Sequence, residues 1–255
     1  MGILNVTPNS FYDGGKYKTE TEILYQAEVM LDEGATFIDV GAYSSKPNAE
    51  FVSETEELER IVPVINLLLK QFPEAIVSID TFRSEVAKAA IENGAALIND
   101  ISAGNLDERM METIAHYKVP YVMMHMRGNP ETMQSLTHYN NIIKEMILYF
   151  SEKVAKARSL GINDLILDPG FGFAKTIEQN YEVLQKLELF QMLELPILAG
   201  VSRKSMIYKL LNINAQEALN GTIVLNTVAL TKGAAILRVH DVKEAMECVT
   251  LFNKI

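Results

Sequence analysis

Residues 73–100 read PEAIVSIDTFRSEVAKAAIENGAALIND. Pro73 precedes a short apolar run, 76–79, that ends at Asp80. A helical stretch follows, then Gly94, then a second short run, 96–98, that ends at Asn99 and Asp100. A proline cannot continue a helix, and a glycine accepts the left-handed backbone that ends one. The stretch is therefore one strand-helix-strand unit, and the helical crossover makes its two strands parallel.

The same unit repeats in both directions. Short β-branched or apolar runs occur at 2–6, 36–40, 121–124, 165–167, 197–199 and 235–237, besides the two above. Helical periodicity fills the gaps. Ile23, Ala27, Met30 and Leu31 trace one apolar stripe, and Leu58, Ile61, Val62, Ile65, Leu68 and Leu69 another. Pro63 lies inside the second stripe and is expected to kink that helix or to place its start later. Thr19 with Glu22, Ser53 with Glu56, and Thr176 with Gln179 have the spacing of capping boxes. Gly34, Gly94, Gly161 and Gly233 precede even-numbered strands, and Pro73, Pro120 and Pro196 precede odd-numbered ones. Continuous alternation of this kind predicts a single (β/α)8 barrel over residues 1–255. The alternative is a doubly wound open sheet. It usually has a glycine-rich phosphate turn directly after its first strand, and Gly14-Gly15 lies too far along.

Composition narrows the function. Of 255 residues, 48% are hydrophobic and 22% charged, enough apolar material for a full core. The net charge of −10 disfavours nucleic acid and anionic membrane as partners. There is one cysteine, so no intrachain disulfide can form, and a reducing, cytoplasmic setting is expected. No apolar run reaches membrane-spanning length. An anionic substrate would need the scarce basic groups gathered in one cleft.

The strand ends are asymmetric. Their C-terminal ends carry Asn5, Asp39, Asp80, Asn99 with Asp100, His125, Asp168, Ser202, and Arg238 with His240. Singly, each is an ordinary turn or cap residue. In a barrel these ends converge on the face that holds active sites. Asp80, Asn99 and Asp168 suit a flat heterocycle with an amidine-like edge, since a carboxylate accepts paired N–H bonds and an amide both donates and accepts. The segment Gly200-Val201-Ser202-Arg203-Lys204-Ser205 after strand seven, with Arg238-Val239-His240-Asp241 after strand eight, has the makings of an anion site. Arg203 stays open between a solvated charge and a site residue.

Seven segments together resemble dihydropteroate synthase in order and spacing. They are Met1-Gly2-Ile3-Leu4-Asn5-Val6-Thr7-Pro8, Ser78-Ile79-Asp80-Thr81, Ile98-Asn99-Asp100-Ile101, Met124-His125-Met126, Leu167-Asp168-Pro169-Gly170-Phe171-Gly172, Ser202-Arg203-Lys204-Ser205 and Arg238-Val239-His240-Asp241-Val242. The resemblance implies attack of the amine of p-aminobenzoate on 6-hydroxymethyl-7,8-dihydropterin pyrophosphate. It implies that Asp80, Asn99, Met124, Asp168 and Lys204 hold the pterin. It assigns Asn5, Lys46, Arg238 and His240 to pyrophosphate, with Mg2+ at Asn5 as cofactor. Catalysis would then fall to Asn5, Lys204, Arg238 and His240, chiefly by stabilising the leaving group. It places Phe11, Ser45, Lys46, Pro47, Phe173 and Ser202 around p-aminobenzoate and implies a homodimer. Asn9, Lys46 and Asn48 depart from the family's usual aspartate, arginine and glycine. The chain also begins on its first strand, where members usually carry a leading segment. Two other outcomes fit the same segments: a methyltransferase working between folate and corrinoid, and a non-catalytic pterin binder.

Overall fold

In the computed structural model the described residues are 1–6, 20–43 and 52–254. The strands are β1 (Gly2–Asn5), β2 (Phe37–Gly41), β3 (Ile76–Asp80), β4 (Leu97–Asp100), β5 (Tyr121–Met124), β6 (Leu165–Asp168), β7 (Ile197–Ala199) and β8 (Ala234–Leu237). They pair in parallel in sequential order. The sheet closes just beyond β8: Ile3 N donates to Val239 O and Val239 N to Met1 O, both at 2.9 Å. The barrel expectation holds, with strand bounds moved by a residue or two.

The helices are α1 (Glu20–Asp32), α2 (Glu54–Gln71), α3 (Ser84–Glu92), α4 (Met110–Tyr117), α5 (Ile142–Ser159), α6 (Ile177–Gln185), α7 (Ser205–Leu211), α8 (Leu219–Thr231) and α9 (Val242–Phe252). Ser53 caps α2 by accepting from Glu56 N at 3.2 Å, and Thr176 and Gln179 form a reciprocal capping box on α6. Thr19 lies outside the described residues. Pro63 does not delay the start of α2, which begins at Glu54. It sits on the exposed face, so water can satisfy the carbonyl that a missing N–H leaves unbonded, while Ile61, Val64, Ile65 and Leu68 continue the buried stripe. The glycine returns take positive φ as expected, +101° at Gly94 for example. Before Pro120 and Pro196 the left-handed residue is Lys118 or Glu194 instead, each at φ +55°.

Side chains on a strand alternate between two faces. The outward set packs under the helices as the main core, with Tyr121, Phe150 and Phe190 fully buried. The inward set forms a separate apolar plug of Met1, Leu97, Val122, Ile166 and Leu198, flanked by Phe37 and Ile236. Two residues further along these strands stand Asp39, Asn99, Met124, Asp168, Gly200 and Arg238. The strand period thus lifts a polar layer directly onto an apolar floor.

Candidate active site

The polar layer is cross-linked through the barrel interior. Arg238 on the β8 side donates from Nε to Asp39 Oδ2 on β2 at 2.6 Å and from Nη2 to Asp80 Oδ2 on β3 at 2.7 Å. Asp39 is fully buried and also accepts from Ser78 Oγ at 2.5 Å and Asn99 Nδ2 at 3.1 Å. These contacts join strands that are not neighbours, which only an interior position allows. Parallel register sets Asp80 opposite Asn99 and Met124 opposite Asp168. Burial opposes the Arg238 charge, but Asp39 and Asp80 outweigh it and hold the guanidinium firmly protonated. Burial raises the Asp80 carboxyl, Arg238 pulls it back, and Asp39 raises it again.

Asp168 is buried at the end of β6 and opens the loop Asp168-Pro169-Gly170-Phe171-Gly172-Phe173-Ala174-Lys175. Its Oδ1 accepts from Gly170 N at 2.7 Å. Gly170 has φ +68°, and a Cβ there would lie 2.3 Å from His125 O, so this turn admits only glycine. Burial raises the Asp168 carboxyl, and Lys204, the Gly170 N–H, Arg238 and Lys175 lower it. Lys204 Nζ donates to Phe171 O and lies 4.9 Å from the centre of the Phe173 ring. Burial brings its pKa down to about 8, against the pull of Asp168. Met124 packs with Ile101, Met126, Met133 and Ala174, and Phe173 covers that cluster.

The last two strand-end loops are tied together. Ser202 Oγ and His240 Nδ1 are 3.0 Å apart, and His240 N donates to Ser202 Oγ at 3.2 Å. Arg203 forks onto Asp241, Nε to Oδ2 at 2.9 Å and Nη2 to Oδ1 at 2.8 Å. The His240 residue is exposed at the rim, and Asn5 is half-buried at the end of β1.

The sequence pattern of the pterin binding enzymes matches residues 1–240. The chain is 43% identical over 98% of its length to the dihydropteroate synthase of Escherichia coli K12, covering 88% of that protein. It is 46% identical over 96% of its length to the one from Synechocystis, covering 86%. The chain belongs to the dihydropteroate synthase family. Its fold superposes on the Yersinia pestis family member solved with a sulfonamide drug, with TM-score 0.94 and 40% identity, covering 99% of this chain and 92% of that one. The Thermus thermophilus member bound to 4-aminobenzoate gives TM-score 0.89 at 34% identity, covering 100% and 93%. The reaction of the family is therefore this chain's: a transferase of folate biosynthesis that joins p-aminobenzoate to 6-hydroxymethyl-7,8-dihydropterin pyrophosphate, giving 7,8-dihydropteroate and pyrophosphate.

Among the expected dihydropteroate synthase site residues, Asp80, Asn99, Met124, Asp168 and Lys204 come together at the barrel mouth. Ser202, Arg238 and His240 border them, and Phe173 stands over Lys204. Phe11, Ser45, Lys46 and Pro47, with the departures Asn9 and Asn48, lie outside the described residues. Two strand-end groups point away from the mouth. Asp100 turns outward, where it accepts from Tyr121 Oη, Ser102 and Gly104, and so pins the β4 loop. His125 is buried against Tyr149 and Phe150 of α5. Each is one residue past an inward neighbour, and a strand sends consecutive side chains to opposite faces. Arg203 is a clamp between loops, with φ +53° and further bonds to Ala215 O and Gln216 O. The fully buried hub role of Asp39 and the burial of Lys175 were not anticipated. Alternation from the apolar floor could have singled out Asp39. Lys175, directly before a helix cap, gives no signal of burial in sequence.

Proposed function

We propose that the described residues divide the reaction as follows. Asp80, Asn99 and Asp168 take the amidine-like edge of the pterin, Lys204 donates to its acceptor side, and Met124 packs on the ring. The amine nitrogen of p-aminobenzoate forms a bond to the methylene carbon as the carbon–oxygen bond breaks. The electron pair leaves on pyrophosphate, and the amine loses a proton. Arg238 already spends Nε and Nη2 on Asp39 and Asp80, which leaves its Nη1 edge for a phosphate oxygen. Asn5 and His240 at the same rim extend that anion site, and Lys46 belongs to it by resemblance. Stabilising the departing charge does most of the catalytic work, without a strong general base. Phe173 and Ser202, with Phe11, Ser45 and Pro47, frame p-aminobenzoate. The observation that carries this division is the convergence of two carboxylates, an amide and a depressed-pKa lysine above one apolar floor.

Mg2+ suits the same arrangement. Among the described residues no group of three or more His, Cys, Asp or Glu can cage a metal. Mg2+ typically keeps several waters and binds through substrate phosphates with few protein donors. The Asn5 carboxamide oxygen would be such a donor, and the ion would neutralise pyrophosphate charge.

A homodimer is the assembly we favour. Helix α8 has no charged residue, and Val224 on it is 52% exposed. It packs on α7 so closely that a Cβ on Gly221 would lie 2.3 Å from Ile207, and Leu210 and Leu211 of α7 are exposed as well. No helix among the described residues is long and apolar enough to cross a membrane. A cytoplasmic setting is the one we favour, on the single cysteine of the sequence.

The test of the division is calorimetry with the pterin pyrophosphate, beside pyrophosphate release on adding p-aminobenzoate. Asp80→Ala and Asp168→Ala should each weaken pterin binding by about 1.5–3 kcal/mol. Near-native affinity in both would put the pterin elsewhere.

A further inference from the structure

In the loop between β6 and α6 every carbonyl from Gly170 to Lys175 is engaged. Gly170 O and Phe173 O accept from Lys175 Nζ, each at 3.0 Å, and Phe171 O accepts from Lys204. Gly172 O accepts from Gln134, Ala174 O from Tyr139 Oη at 2.9 Å, and Lys175 O from Asn180. Gly170, Gly172 and Ala174 all have positive φ, which curls the chain so that two carbonyls three residues apart, Gly170 O and Phe173 O, face one point. That point is the Lys175 ammonium.

Lys175 is 5% exposed and has no carboxylate in contact among the described residues. Its third neighbour is His125 Nδ1 at 3.1 Å. Three acceptors need three N–H donors, which only the protonated amine supplies. His125 must then offer a lone pair at Nδ1 and carry its proton on Nε2. Burial, followed by the positive Lys175, keeps the imidazole pKa well below the ordinary range, which agrees with that neutral tautomer. An ammonium buried without a carboxylate in contact is costly, and the fold retains one in the loop that carries Asp168 and Phe173, the residues proposed to hold substrate.

We propose that Lys175 is a positioning residue for the reaction. Its buried ammonium knots the Asp168–Phe173 loop into its substrate-holding shape and supplies counter-charge that keeps Asp168 ionised. This rests on the assignment of Asp168 to the pterin. Asp168 feels Lys204, Arg238 and Lys175. Lys175 in turn faces Asp168 from β6, Lys204 from the β7 loop, and His125 and Arg127 from β5 and its loop. The Tyr139 and Tyr149 hydroxyls are the other titratable groups near His125, and burial raises both, Tyr139 to about 12 and Tyr149 well above its ordinary value, so both stay neutral. Burial brings Lys175 down to about 7, so the knot loosens as pH rises past that point.

The experiment measures pterin pyrophosphate affinity from pH 5 to 9 in the unaltered chain and in Lys175→Met. The expected result is a folded variant with about tenfold weaker binding at pH 7. Its acid limb, where Asp168 protonates, should move to higher pH. A Lys175→Cys chain in a Cys248→Ser background, aminoethylated while unfolded and then refolded, should regain affinity and the original limb. Parental affinity and parental limb in Lys175→Met would overturn the proposal, as would failure of the restored amine to recover either. If neither variant folds, nitrogen NMR of His125 in the unaltered chain decides: the Nε2–H tautomer is expected, and a proton on Nδ1 refutes the knot. Failure of the unaltered chain to bind, or indifference to Asp168→Ala, would instead strike the pterin assignment itself.

Discussion

Replacing Arg238 with Met removes the cation that joins three strands across the barrel. Two carboxylates lose their partner. The Asp39 side chain is 0% exposed and keeps only Ser78 and Asn99, while Asp80 is 20% exposed and can recruit water. Breaking a buried pair from one side costs roughly 3–5 kcal/mol, because a charge is left without compensation. Asp80 is only part-buried and can recruit water or take up a proton, so Asp39 dominates the loss. For a chain of this size that loss corresponds to a Tm lower by roughly 6–20 °C. Thermal unfolding followed by circular dichroism, without substrate, measures it. Adding Asp39→Asn to Arg238→Met should recover more than half of the loss, since the orphaned charge is gone. A Tm within about 2 °C of the parent in the single variant would refute the reasoning. It would show that Asp39 finds solvent or a proton without cost.

Binding of the pterin pyrophosphate should strengthen with Mg2+ and weaken with salt, while the free hydroxymethyl pterin responds to neither; equal calorimetric behaviour of the two ligands would remove the anion site from Asn5, Arg238 and His240. Pterin affinity should also decline above about pH 8 as Lys204 loses its proton. Stability should shift the opposite way in that window, because between about 8 and the ordinary 10.5 the unfolded chain holds a proton the folded one has released. A Lys204→Met chain whose alkaline binding limb stays unchanged would assign that limb to another group. Finally, Val224→Arg should convert the proposed dimer to monomer in sedimentation without unfolding the barrel, and an unchanged mass would move the proposed interface off α8.

The barrel was legible because its punctuation is local. A strand run with β-branched residues and a glycine or proline at each return leave little else to build. What stayed hidden depends on contacts. Lys118 and Glu194 end their segments in the left-handed conformation that glycine usually fills, and nothing in either side chain announces it. Asp100 and His125 sit at the right height on their strands yet on the wrong face, and only the position of Leu97 and Val122 in the floor decides that. Asp80, Asn99 and Asp168 could be picked out as candidates because residue type and strand end coincide, and the structure brings them together with Lys204 at the mouth. Lys175 could not, because its burial depends on how the loop curls two carbonyls and the His125 ring around its ammonium, which residue type alone does not announce.

The apolar floor and the polar layer above it share one phase of the strand repeat. Inserting or deleting one residue within β3, β4 or β6 would turn a core side chain into the mouth and a recognition side chain under a helix. Folding and substrate choice therefore fail together in these strands, and no gradual path leads from this pocket to another through their lengths. The phase has no hold beyond the strand ends, where contacts such as the 2.3 Å approach of a Gly170 Cβ to His125 O set the limits instead.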